Sequence, residues 1–143
     1  MSIQALRSVF HPSDFSQDTG QVSLKNIIIP IAAAPPAQRA IDGAAQMAAL
    51  FHVPELRFHF IHVGPEEDRP AVELPSRDGW MGEASSWEGD VVEHILQVSE
   101  TRNADLIVMA TAGHHGFLDA VRGSTTERVL RGACCPVLAI PAA

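Results

Sequence analysis

Residues 104–141 read ADLIVMATAGHHGFLDAVRGSTTERVLRGACCPVLAIP, and the order of residue types within them decides the fold. An apolar run, DLIVMA at 105–110, comes first. A stretch with Gly113, Gly116 and Gly123, the paired His114 and His115, and the hydroxyls of Ser124, Thr125 and Thr126 follows. ERVLRGA and the apolar PVLAI at 136–140 close it. Short, continuous apolar runs are the pattern of strands buried on both faces. Ser124-Thr125-Thr126-Glu127 has the form of a capping box, so a helix is predicted over 124–132. The segment therefore reads strand, glycine-rich turn, helix, strand.

The preceding residues repeat that alternation. KNIIIPI at 25–31 is a predicted buried strand. From Pro35 to His52 the apolar positions Ala37, Ala40, Ile41, Ala44, Met47, Ala48 and Phe51 recur at three-and-four spacing, one face of a helix. Pro35 and Pro36 are expected in its first turn, where a missing amide costs nothing. LRFHFIHV at 56–63 is a second strand, and the polar, proline-rich 64–79 a loop. A short strand is assigned to 80–88. Asp90 is the expected cap of a helix whose inner face carries Val91, Val92, Ile95 and Val98. Strands alternating with helices predict an α/β, three-layer architecture with a mostly parallel sheet and right-handed crossovers. Ligands of such sheets bind beyond the carboxyl ends of strands, where strand order reverses. The loops after 25–31 and after 105–110 are the two expected there.

The chain has 143 residues, enough for one core, and 46% are hydrophobic. A single domain is assigned to 25–143, preceded by an N-terminal arm or extra strand at 1–24. The net charge is −7, with no stripe of Lys or Arg, which argues against a nucleic-acid partner. The most apolar segment, NIIIPIAAAPPA, holds three prolines and is too short to span a bilayer, so no membrane role is expected. The first residues, MSIQALRSVFHPSDF, do not read as an export leader. The adjacent Cys134 and Cys135 are poorly placed to bridge each other, so reduced thiols and a cytoplasmic location are expected.

Gly113 and Gly116 permit tight turns, and Gly123 a close approach of backbone to whatever lies above it. The helix start beyond them offers unpaired amides and a positive dipole end. Together with the hydroxyls this makes an oxyanion or phosphate cradle. An ordinary strand-to-helix connection with a helix cap reads the same residues equally well. No Walker A lysine is present, and the dinucleotide fingerprint belongs after a first strand.

As an ordered set, these motifs resemble the C-terminal half of a universal stress protein of the UspA type. The strand, alanine-rich helix and His-Val-ending strand of 25–63 are similar to the first half of that family. The resemblance implies a five-stranded, open twisted sheet of flavodoxin-like, adenine nucleotide alpha hydrolase-like type. It implies homodimers, often formed through the last strand, here 136–140. Family members divide into ATP-binding and non-binding groups. Where a nucleotide is bound, ATP or AMP with Mg, the resemblance places Gly113, Gly116, Gly123, Ser124 and Thr125 at the phosphates and ribose. Two departures weigh against tight binding. Only six residues, FLDAVR, separate the Gly-x-x-Gly turn from Gly-Ser, where ATP-binding members have nine. Ala32 stands where those members carry an aspartate. Losing one such partner costs about 1–3 kcal/mol, roughly tenfold or more in affinity.

The arm contains HPSDFS at 11–16, which resembles that aspartate-bearing strand end better than 30–34 does. Taking 7–12 as the central strand leaves no room for a crossover helix before 25, so 25–31 is favoured. The arm then reads as a relic of a tandem ancestor or as a strand pairing with another subunit; the return of Asp14 to the vacant acid position is the less favoured reading.

His62 lies near its strand's carboxyl end and is a candidate to line the pocket; His59, at odd spacing, points to the other face. His114 and His115 lack ligand spacing with either, so no metal site is assigned. Cys134 and Cys135 read as small buried hydrophobes. Ser124 lacks an arguable base and acid, so no catalytic residue is assigned. Trp80 and Trp87 are expected to pack under the 64–79 loop. Two functional readings stay open: a nucleotide-responsive stress protein, and a nucleotide-independent homodimer acting through protein contacts.

Overall fold

The computed structural model describes residues 5–6, 24–112 and 125–142. The central strand is β2 (Asn26–Pro30), whose three isoleucines are wholly buried. Around it run β3 (Leu56–Val63), β4 (Trp80–Trp87), β5 (Leu106–Thr111) and β6 (Val137–Pro141), all parallel. A short β1 (Ala5–Leu6) pairs antiparallel with β6, Ala5 opposite Ala139 and Leu6 opposite Leu138. The sheet order is β1-β6-β5-β2-β3-β4. Counting the parallel strands alone, it is 3-2-1-4-5. The open parallel α/β sheet expected from the sequence is present, and β4 takes the outer position beside β3 instead of crossing β2.

Alternation along the strands builds two cores. Ile27, Ile29, Leu56, Phe58, Phe60, Leu106, Val108, Leu138 and Ile140 face α1 (Gln38–Leu50). Ile28, Ile61, Ile107, Met109 and Val137 face α2 (Val91–Thr101) and α3 (Thr125–Gly132). That division follows from right-handed crossovers: β2 moves one way to β3, and β4 and β5 move the other way to their successors. α1 starts at Gln38 with Ala37 as its cap residue, so Pro35 and Pro36 precede the helix and do not form its first turn. Asp90 caps α2 as predicted, accepting a hydrogen bond from the Glu93 amide at 3.0 Å.

The connection from β3 to β4 holds a single 3₁₀ turn, Glu66–Asp68, with no α-helix. It crosses on the α1 side, where Val72 and Leu74 pack against the core. The Gln38 amide fixes it from both directions. Its Nε2 donates to the Glu73 carbonyl at 2.8 Å, and its Oε1 accepts from the Glu73 amide at 3.1 Å. Trp80 packs on Phe58, with the Arg77 guanidinium 5.3 Å from its ring. Trp87 does not lie under this loop. It is 40% exposed and stacks on His94, because it ends an edge strand. Cys134 is exposed and Cys135 half-buried, so the buried-hydrophobe reading fails for Cys134; it lies in the turn before β6, outside both cores.

Gly79, at the start of β4, has φ +83°, and a Cβ built there would sit 2.0 Å from the Pro54 carbonyl oxygen. Gly79→Ala is expected to cost about 3 kcal/mol, read as a lowered urea midpoint with an unchanged m-value. An unchanged midpoint would contradict this close approach.

Candidate functional site

Strand order reverses between β2 and β5, and their carboxyl ends diverge there. A cavity of about 350 Å³ opens at that place. β2 and the residues after it supply Pro30, Ile31 and Ala32 to its wall; β3 supplies Ile61 and Val63, and α2 supplies Val91 and Ile95. Met109 and Thr111 come from β5, and Thr125 and Thr126 from the first turn of α3. Among the described residues of the wall, only Thr111, Thr125 and Thr126 carry polar side chains, and none carries an ionisable group. Thr125 and Ala32 are exposed at the rim, whereas Thr111 and Thr126 are buried.

Ala32 and Thr125, assigned from distant parts of the sequence, thus meet on one cavity. His62 is not brought to it. The residue is 7% exposed, and its Nδ1 lies 3.3 Å from Ser86 Oγ. Strand alternation puts it on the face opposite Ile61 and Val63. Gly113, Gly116, Gly123 and Ser124, with His114 and His115, lie outside the described residues. Thr111 was not singled out in the sequence. The signal was there: it stands two residues beyond Met109 at a strand's carboxyl end, hence on the same face.

His59 sits on the α2 side of β3, away from this cavity. Its Nδ1 lies 2.9 Å from Glu83 Oε1, and its Nε2 3.1 Å from Asn26 Oδ1. Arg102 approaches the same Glu83 oxygen at 3.5 Å. Burial holds the imidazole below its ordinary pKa and outweighs the Glu83 carboxylate, which acts in the opposite sense. Among the described residues, no three His, Cys, Asp or Glu side chains gather into a metal site.

An open parallel sheet with a ligand-sized crevice at its reversal point defines a doubly wound α/β protein. The family model described as "Universal stress protein family" matches residues 81–141. Universal stress protein A homolog 1 of Coxiella burnetii is 30% identical over 138 residues, covering 81% of this chain and 95% of that protein. The chain belongs to the universal stress protein family. Universal stress protein MJ0531 of Methanocaldococcus jannaschii is 43% identical over 53 residues, 37% of this chain and only 31% of that one. A universal stress protein solved in complex with cAMP superposes with a TM-score of 0.58 at 17% identity, covering 84% of this chain and 98% of that one. One from Archaeoglobus fulgidus, in complex with dAMP, gives 0.52 at 17%, covering 82% and 97%. At such identities the likeness establishes the fold.

The lowered pKa of His59 has a definite sign in stability. The unfolded chain takes up this proton first, so the contribution is intact above about pH 6.5 and declines as pH falls below it. The stability advantage of the native protein over His59→Gln should therefore narrow between pH 7 and pH 5 in urea titrations. A gap that widens towards acid would contradict the burial-dominated shift.

Proposed function

We propose that this universal stress protein binds an adenine mononucleotide weakly in the cavity between β2, β5 and the start of α3, as a regulatory ligand in a stress response that it holds without turning over. One observation carries this reading: the cavity lies at the reversal point of the sheet, bounded by the first turn of an α-helix. Two family structures named for cAMP and dAMP supply the ligand class. The absence of ionisable groups from the described wall, with Ala32 where the family resemblance calls for an acid, argues for low affinity. It equally argues against a catalytic step there, since general acid–base work needs a titratable side chain.

The second reading, a tight ATP-binding switch, keeps the same cavity and relies on Thr125 and the glycine-rich segment for phosphate. Calorimetric titration separates the two. Weak binding predicts AMP and ATP dissociation constants on the order of 100 μM to 1 mM with Mg²⁺, and a constant below about 1 μM for ATP would favour the switch. No heat and no thermal shift with AMP, ATP or cAMP at several millimolar would overturn both. Restoring the acid with Ala32→Asp should tighten binding about tenfold if a ribose hydroxyl passes that rim.

We also propose that the protein forms homodimers through residues 136–140. β1 already occupies the outer edge at Leu138 and Ala139. Pairing of two copies along this strand therefore requires β1 to yield or to be exchanged. Sedimentation equilibrium checks this: deleting residues 1–6 should tighten the dimer, and an unchanged monomer would contradict it.

A further inference from the structure

β1 closes the sheet beside β6, whereas no described strand covers the outer edge of β4. β4 is 8 residues long and pairs with β3 at every position, without a bulge. Bare edges are normally blunted by lysine, proline, a bulge or a very short strand. The strand, WMGEASSW, has no lysine and no proline, and Glu83 is its only charged residue.

Hydrogen bonding to β3 fixes which main-chain groups face outward. The Gly79 carbonyl accepts from the Leu56 amide, and the Trp87 carbonyl from the Gly64 amide, so the odd-numbered residues turn their main chain to β3. Gly82, Ala84 and Ser86 therefore turn theirs to the open edge. Side chains alternate as well. Glu83 reaches His59 and Trp87 stacks on His94, so Met81, Glu83, Ser85 and Trp87 share the α2 side of the sheet. Met81 is 62% exposed there, and Trp87 is exposed with it.

We propose that β4 is a dimer interface, to which a second copy of this chain adds its own β4 antiparallel, about a twofold axis through Ala84 perpendicular to the sheet. Such an axis keeps the faces of the two sheets continuous, so paired residue numbers must have an even sum. A pairing centred on Glu83 sets the two carboxylates opposite each other, which is unfavourable. Centring on Ser85 sets Glu83 against Trp87 and carries Met81 past the end of the other strand. Centring on Ala84 sets Met81 against Trp87 of the second copy, and Glu83 against the hydroxyl of Ser85. The two Ala84 residues then exchange main-chain hydrogen bonds, as do Gly82 and Ser86 of opposite copies. The Met81–Trp87 contacts fall at the non-hydrogen-bonded positions, where side chains approach most closely. Glu83 thus rejects the other registers and permits this one. The interface needs no ligand and lies at the edge opposite residues 136–140.

Sedimentation equilibrium of the native chain should show a dimer with a dissociation constant on the order of 10 μM, as suits a small interface. Ala84→Pro removes an outward-facing amide and spares the bonds to β3; it should weaken association at least about tenfold. Met81→Asp, at an exposed position, should do the same, and it serves if the proline variant fails to fold. Ala84→Cys should give a reducible dimer on mild oxidation, because Cα atoms of such a pair lie about 5.5 Å apart, within disulfide reach. Ser86→Cys should link no more than the native protein, whose exposed Cys134 sets the background. A native chain that stays monomeric at about 200 μM overturns the inference. So does oxidation that links Ser86→Cys as readily as Ala84→Cys. A dimer that neither Ala84→Pro nor Met81→Asp weakens also overturns it, and leaves pairing through 136–140 standing.

Discussion

The parallel pairing of β2 with β5 is the contact on which the rest of this fold depends. Ile27 and Ile28 stand opposite Leu106 and Ile107, and all four are fully buried. A single carboxylate fixes the register at the amino end: Asp105 Oδ2 accepts from the amides of Lys25 and Asn26 at 2.8 and 2.9 Å. These two strands are 75 residues or more apart in sequence, so their union closes the longest loop among the parallel pairs of the sheet. At the opposite, carboxyl end the same union creates the reversal point, because the two chains leave it towards opposite faces. The cavity is a topological product of that divergence, and its contents are set by whichever side chains the strands carry there.

The elements were legible because their apolar periods are unambiguous. β2 and β5 are rich in β-branched residues, β3 and β6 are short and largely apolar, and the inner faces of α1 and α2 follow the three-and-four rule. What the sequence left open are features that depend on where a segment ends up. Trp87 was expected under the 64–79 loop, yet it belongs to an edge strand, where it stacks on His94 and donates from Nε1 to Ser85 Oγ. Cys134 was assigned inside on residue type, yet its turn lies at the surface. His62 was placed at the pocket from its nearness to a strand end, and the pleat turns it to the other face. The candidate site divides similarly. Ala32 and Thr125 were recognised from a family pattern, whereas Thr111 needed knowledge of which face of β5 is hollow.

The composition of the cavity also separates two ways of holding a nucleotide. A charged pocket gains affinity from phosphate, and its affinity weakens as salt rises. An apolar pocket with a few hydroxyls gains it from ring burial and from the shape of the opening. The described wall here is of the second kind.

Strand β4 ends the sheet opposite β1, and most of its residues are exposed. Such a margin invites a foreign chain to add itself. Glu83, midway along β4 and half-exposed, is tied to His59 and Arg102. The carboxylate that orients the buried imidazole therefore also sets a charge on this margin, the kind of side chain that disfavours unselective edge-to-edge pairing.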